Sequence, residues 1–202
     1  MNLKSIIAVA MAVAGLTSAR AVSYNITSDH ATGGLGTPPF GTVNLTQNGT
    51  KVDVTVHLNA GYWFVLTGAA DMQDFKFNAT GVTVPDITIT QNAPFPLVAS
   101  TGAYNGDGTG TFGFGITGTG QGGGTSDKFN TDIIFSVKNA VIADLTAPNS
   151  LGNIFVADLY SEFTGKTGPA DVSTPPTVPD GGATIALLGV GLLGLGALRR
   201  KS

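Results

Sequence analysis

Residues 51–58 read Lys-Val-Asp-Val-Thr-Val-His-Leu, a strict alternation of polar and aliphatic side chains that begins just after Asn48-Gly49. Side chains of an extended chain point to opposite faces with period two, so Val52, Val54, Val56 and Leu58 make one face that must be buried. Lys51, Asp53, Thr55 and His57 then meet water. Asn-Gly accepts the positive φ angles of a tight type I′ turn, which predicts a β-hairpin of 43–47 with 51–58. The period excludes an amphipathic helix, whose apolar positions recur every three or four residues.

The same reading extends along the chain. Strands are predicted at 62–66, 74–78, 81–84 and 87–90. Beyond a loop around Pro94 and Pro96, residues 111–117 place Phe112, Phe114 and Ile116 on one face, and 132–138 do so with Ile133, Phe135 and Val137. The last two strands are predicted at 140–145 and 153–163. Glu occurs once and no long amphipathic helical pattern interrupts the series. Short strands separated by Gly, Asn and Pro turns predict an all-β fold, an antiparallel β-sandwich or jelly roll over 22–163. No fixed-period repeat supports a solenoid. Cysteine is absent, so packing alone must stabilise the domain, and thiol catalysis is excluded.

Neither terminus fits this pattern. Lys4, the apolar stretch 6–16 and the small-x-small site Ala19-Arg20-Ala21 describe a signal peptide over 1–21, handled by the secretion machinery and signal peptidase. Residues 164–177 are rich in Gly, Pro, Ser and Thr and read as a flexible linker. Next come Val178-Pro179-Asp180-Gly181-Gly182, an uncharged run at 183–198, and Arg199-Arg200-Lys201 before the final Ser202. As a helix the run reaches roughly 24 Å, and snorkelling basic side chains extend it toward a ~30 Å hydrocarbon core. The basic residues place the C-terminus inside and the domain outside. Pro179 holds the chain extended and Gly181-Gly182 lets it bend into a protease. An ordinary single-span anchor is the plainer alternative.

The order of motif, apolar helix and basic stop resembles the PEP-CTERM class of sorting signals, in its Val-Pro-Asp subvariant. Gly181 stands where that form commonly has Ser. The resemblance covers 178–202 and implies cleavage by a membrane-embedded exosortase of Gram-negative bacteria. It implies a transient inner-membrane anchor, then the cell surface or extracellular matrix. More loosely, Gly41-Thr42-Val43, Asn48-Gly49, Tyr62-Trp63-Phe64 and Thr67-Gly68 are similar in order to secreted domains that carry such tails. That likeness implies a β-rich surface protein linked to biofilm or exopolysaccharide, and it transfers no catalytic residue.

With the targeting segments removed, five lysines stand against twelve acidic residues, a net charge of −7. Such an exterior argues against nucleic acid or anionic lipid as a partner. His57 lies on the polar face of its strand and His30 in a Gly-rich lead-in. Both read as solvated histidines, and the chain has no Gly-x-Ser-x-Gly elbow. Glu162 with an aspartate would supply the two carboxylates of a glycosidase. Asn105-Gly106-Asp107-Gly108-Thr109-Gly110 resembles half a calcium loop, but Ile116 occupies the place of the bidentate Glu, so a β-turn is the first reading and structural calcium the second. Residues 118–124 read as a mobile glycine loop. Trp63, the one tryptophan, and Tyr62 are candidate ligand-binding residues on opposite faces of one strand, either core or a sugar-stacking platform. Asn-x-Thr triplets begin at Asn25, Asn44, Asn48 and Asn78. The expectation is a secreted, non-enzymatic envelope or matrix protein with no cofactor. A carbohydrate-binding module is the alternative, and a glycan-active enzyme the third reading.

Overall fold

The computed structural model describes residues 20–91 and 94–172. In chain order the strands are β1 (Ala21–Ile26), β2 (Ser28–Asp29), β3 (Gly41–Asn48), β4 (Lys51–Leu58), β5 (Tyr62–Leu66), β6 (Phe75–Phe77), β7 (Ile87–Ile89), β8 (Leu97–Gly106), β9 (Gly110–Gly118), β10 (Gly124–Phe129), β11 (Ile133–Lys138), β12 (Phe155–Ser161) and β13 (Thr167–Asp171). One helical turn, α1 (Ile142–Leu145), lies between β11 and β12. The first sheet runs β1-β3-β4-β11-β7 and the second β10-β5-β12-β6-β9-β8, with β13 on the other edge of β12 and β2 beyond it. Among the described residues the strand pairings are all antiparallel, and the predicted all-β class is the observed one.

The alternation that predicts the hairpin also sets the core. Val52, Val54, Val56 and Leu58 are buried, opposite Val43 and Leu45 of β3 and Phe135 and Val137 of β11. The turn is shifted by one residue from the expected position. Asn48 pairs with Lys51, and the positive φ falls on Gly49 alone, the first central residue, as in a II′ turn. Between the sheets, aromatic rings interlock. Phe77 of the second sheet lies 5.3 Å from Phe135 of the first and 5.4 Å from Phe114, while Tyr24 of β1 meets Phe155 edge-on at 5.5 Å. Each fully buried aromatic contributes about 1.5–3 kcal/mol, which lets the domain hold without disulfides.

Several expectations are corrected. Residues 140–145 hold α1 rather than a strand, because Ile142 and Leu145 both enter the core, and positions three apart share a face only on a helix. Residues 81–84 form no strand: Thr83 N–H and Oγ1 both donate to Asp86 Oδ2, closing a 3₁₀ turn at Val84–Asp86. The linker expected at 164–177 begins too early, since β13 pairs with β12 from Thr167 to Asp171. Gly168 makes this possible. A Cβ there would lie 2.7 Å from Ala31 Cα, so the close approach of backbones requires glycine. The sequence predicts no strand at β1, β2, β8 or β10, and β10 takes in the end of the glycine segment 118–124. The signal segment 1–19, the tail 173–202 and the spanning helix expected at 183–198 lie outside the described residues. Among the described residues no helix is long and apolar enough to cross a membrane.

Candidate functional site

Strand parity gives the second sheet two faces. Phe155, Ala157 and Leu159 of β12, with Tyr62 and Phe64 of β5, enter the core. Val156, Asp158 and Tyr160, with Trp63 and Val65, therefore turn to the outer face. Tyr62 is thus a core residue and not a ligand candidate: it is 4% exposed, meets Phe40 edge-on and donates its hydroxyl to the Thr37 carbonyl at 3.2 Å. Trp63 is the outward member of the dipeptide and stands directly opposite Tyr160.

β10 lies on the far side of β5 and brings Lys128 to the same place. Its Nζ sits 4.1 Å from the Tyr160 ring centre and 5.1 Å from that of Trp63, within cation–π range of both. The two aromatics and the lysine are half-buried. The exposed Glu162 holds its carboxylate 4.0 Å from the ammonium, too far for a direct hydrogen bond. The Trp63 Nε1–H is buried without a partner. Three adjacent strands, with Glu162 just past the end of β12, thus present two aromatic rings, a cation and an anion on one shelf.

Beside the shelf the outer face is sealed by a polar seam. β5 and β6 share one edge of β12, Phe64 pairing Leu159 and Phe75 pairing Ala157, so residues 67–74 loop out over the sheet. Asp158 anchors the start of this excursion, its Oδ2 accepting from Thr67 N–H at 2.6 Å and Thr67 Oγ1 at 2.7 Å. Asp74 anchors its end, accepting from Gly118 N–H at 3.1 Å and Gln121 Nε2 at 3.0 Å. Asp71, at φ 50°, accepts from Asn105 N–H, and Lys76 donates to the Asn105 carbonyl at 2.9 Å. Asp74, Lys76 and Asp158 are fully buried.

Burial governs the protonation of this seam. It pushes Asp74 up to about 7, against the Gln121 and Gly118 hydrogen bonds and with the charge of Asp158 adding to the rise. It pushes Asp158 up to about 6, against the Thr67 bonds and the Lys76 charge. Lys76 is pushed down to about 8, again by burial, with Asp158, Asp71 and Asp107 opposing.

His30 and His57, expected as solvated side chains, each have a carboxylate partner: His30 Nε2 to Asp171 at 2.8 Å and His57 Nδ1 to Asp132 at 2.7 Å. Ser28 Oγ also approaches His30 Nε2, at 3.2 Å. A Ser-His-Asp relay needs serine and carboxylate on opposite ring nitrogens, so this cluster ties β2 to β13 instead. Residues 105–110 close the β8–β9 hairpin, with Thr109 N–H and Oγ1 both donating to the Gly106 carbonyl. Among the described residues no three His, Asp or Glu side chains gather as a metal site. Ala21, placed at the end of the signal segment, opens β1, whose inward residues Val22, Tyr24 and Ile26 all follow it. Ala19, the motif 178–182 and the basic stop 199–201 lie outside the described residues.

Sequence reasoning did not find Tyr160, Lys128 or the seam. For the seam a signal exists, a lone charge between core residues as in Phe75-Lys76-Phe77 and Ala157-Asp158-Leu159. Nothing local relates 63, 128 and 160.

Residues 177–202 match the VPDSG-CTERM motif, a PEP-CTERM-like exosortase sorting signal. The signal supports a secreted protein that is sorted through an exosortase to the surface or membrane. No curated protein and no solved structure matches the chain.

Proposed function

We propose that the chain is a non-catalytic structural component of the cell envelope or extracellular matrix. It is exported, held briefly by 183–198, cut by the exosortase within 178–182, and left outside as a β-sandwich. The observation that carries this reading is the sorting signal at 177–202 joined to an all-β domain in one chain. The net charge of −7 after processing suits a protein that stays in solution or in a hydrated matrix. The test is the intact mass of the protein recovered from the exterior of a host carrying the cognate exosortase. Termini at Val22 and within 178–182 are expected. A chain that keeps 183–202 and is found only in membranes overturns the reading.

A second reading, a carbohydrate-binding surface module, is favoured by one observation: Trp63 faces outward beside Tyr160 rather than into the core.

A further inference from the structure

We propose that the shelf formed by Trp63, Tyr160, Lys128 and Glu162 binds a neutral polysaccharide segment. This deepens the carbohydrate-binding reading and rests on the protein's being displayed at the surface. A pyranose has an apolar C–H face and a rim of hydroxyls that both donate and accept. It therefore needs an aromatic surface flanked by a donor and an acceptor, and the shelf has that composition. Tyr160 and Trp63 stand opposite each other across the β5–β12 pair, so their rings lie at neighbouring positions along the sheet. Lys128 Nζ and Glu162 Oε1 are 4.0 Å apart, close enough to attract and too far to satisfy one another directly. Adjacent hydroxyls of one sugar fit that gap, one accepting from the ammonium and one donating to the carboxylate.

Lys128 covers the rings in the free protein and has to yield. The contact is a cation–π interaction at a partly exposed site, which is weaker than a charge-assisted hydrogen bond. A hydroxyl beside Glu162 draws the ammonium toward the carboxylate and frees the rings. The charge of the partner follows from its surroundings. Lys128 is one of five lysines against twelve acidic residues in the processed chain, Lys76 is buried and Lys51 is paired with Asp53 at 2.7 Å. Glu162 itself stands at the shelf. A polyanion, whether an acidic glycan or a nucleic acid, meets net repulsion there. The Asp158 and Asp74 carboxylates of the neighbouring seam are buried and engaged by Thr67, Gly118 and Gln121, so Glu162 is the carboxylate here that meets solvent.

Trp63 is the chain's one tryptophan, so its emission reports the site directly. The exported, processed protein is titrated with cellohexaose, laminarihexaose and dextran as neutral probes and with polygalacturonate as the acidic one. Expected is a saturable change in emission with at least one neutral probe, insensitive to added salt. Glu162→Gln, on an exposed side chain, and Tyr160→Ala are each expected to weaken that binding about tenfold or more, with an unchanged thermal midpoint for Glu162→Gln. Binding of polygalacturonate alone, binding abolished by salt, no response to any probe, or wild-type affinity in Glu162→Gln each overturns the proposal. Correct termini by mass with no glycan response sinks the shelf and leaves the surface-protein reading standing.

Discussion

Replacing Asp158 by asparagine tests the account of the buried seam. Asparagine keeps an oxygen for Thr67 N–H and Oγ1, which Asp158 accepts at 2.6 and 2.7 Å, removes the charge, and puts an amide NH2 where Oδ1 is buried without a partner, a cost that does not vary with pH. Burial raises this carboxyl from 3.8 to about 6, with Thr67 and Lys76 opposing, so the folded state holds the proton more tightly than the unfolded chain does. The sign follows from linkage: the stabilisation is fully present below pH 3.8 and is lost as pH rises through about 6. A displacement of this size corresponds to on the order of 3 kcal/mol, and the attraction of Lys76 is already contained in it. Asp158→Asn is therefore expected to gain about 2–3 kcal/mol on the wild type between pH 4 and pH 8, whatever constant offset its amide brings. Asp158→Ala, which orphans the Thr67 N–H, is expected to fall below Asp158→Asn at every pH by about 1–3 kcal/mol. Urea unfolding followed by Trp63 emission across this pH range measures all three proteins. A wild-type pH slope in Asp158→Asn, with no gain on the wild type between pH 4 and pH 8, refutes the assignment of the charge to a dry site.

Two further outcomes follow from packing. Phe77→Ala is expected to cost about 3–5 kcal/mol in urea unfolding, because Phe77 is fully buried between Phe114 and Phe135, whereas Thr55→Ala on the outer face of the first sheet should stay within about 0.5 kcal/mol. Gly41→Ala puts a Cβ 2.2 Å from the His57 carbonyl oxygen, a backbone atom that cannot swing aside. A loss of about 1–3 kcal/mol is expected there, against little change for Gly113→Ala, where the nearest atom is 3.6 Å away, and the two thermal midpoints decide it.

What was legible in the chain divides along a physical line. β4, β9 and β11 lie inside their sheets with one face in the core, and that difference writes period two into 51–58, 111–117 and 132–138. β8 and β10 are edges. β8 carries a continuous exposed stretch from Thr101 to Ala103, no alternation is selected there, and Gly, Thr and Asn fill it as they fill turns. β13 hides behind Gly168 and Pro169, residues that ordinarily argue against a strand. Their presence reflects the approach of Ala31 and the Pro169 carbonyl accepting from His30 N–H.

By itself the sequence determined the sorting address, the all-β class and the strands whose two faces meet different surroundings, because hydropathy and its period are local properties of the chain. Tertiary structure alone decided that Tyr62 turns inward and Trp63 outward, that Tyr160 and Lys128 meet the indole, and that Asp158 shares a dry seam with Lys76. Those outcomes depend on the register of β5 against β12 and β10, strands far apart along the chain. A residue's local pattern carries no record of which distant strand will lie beside it.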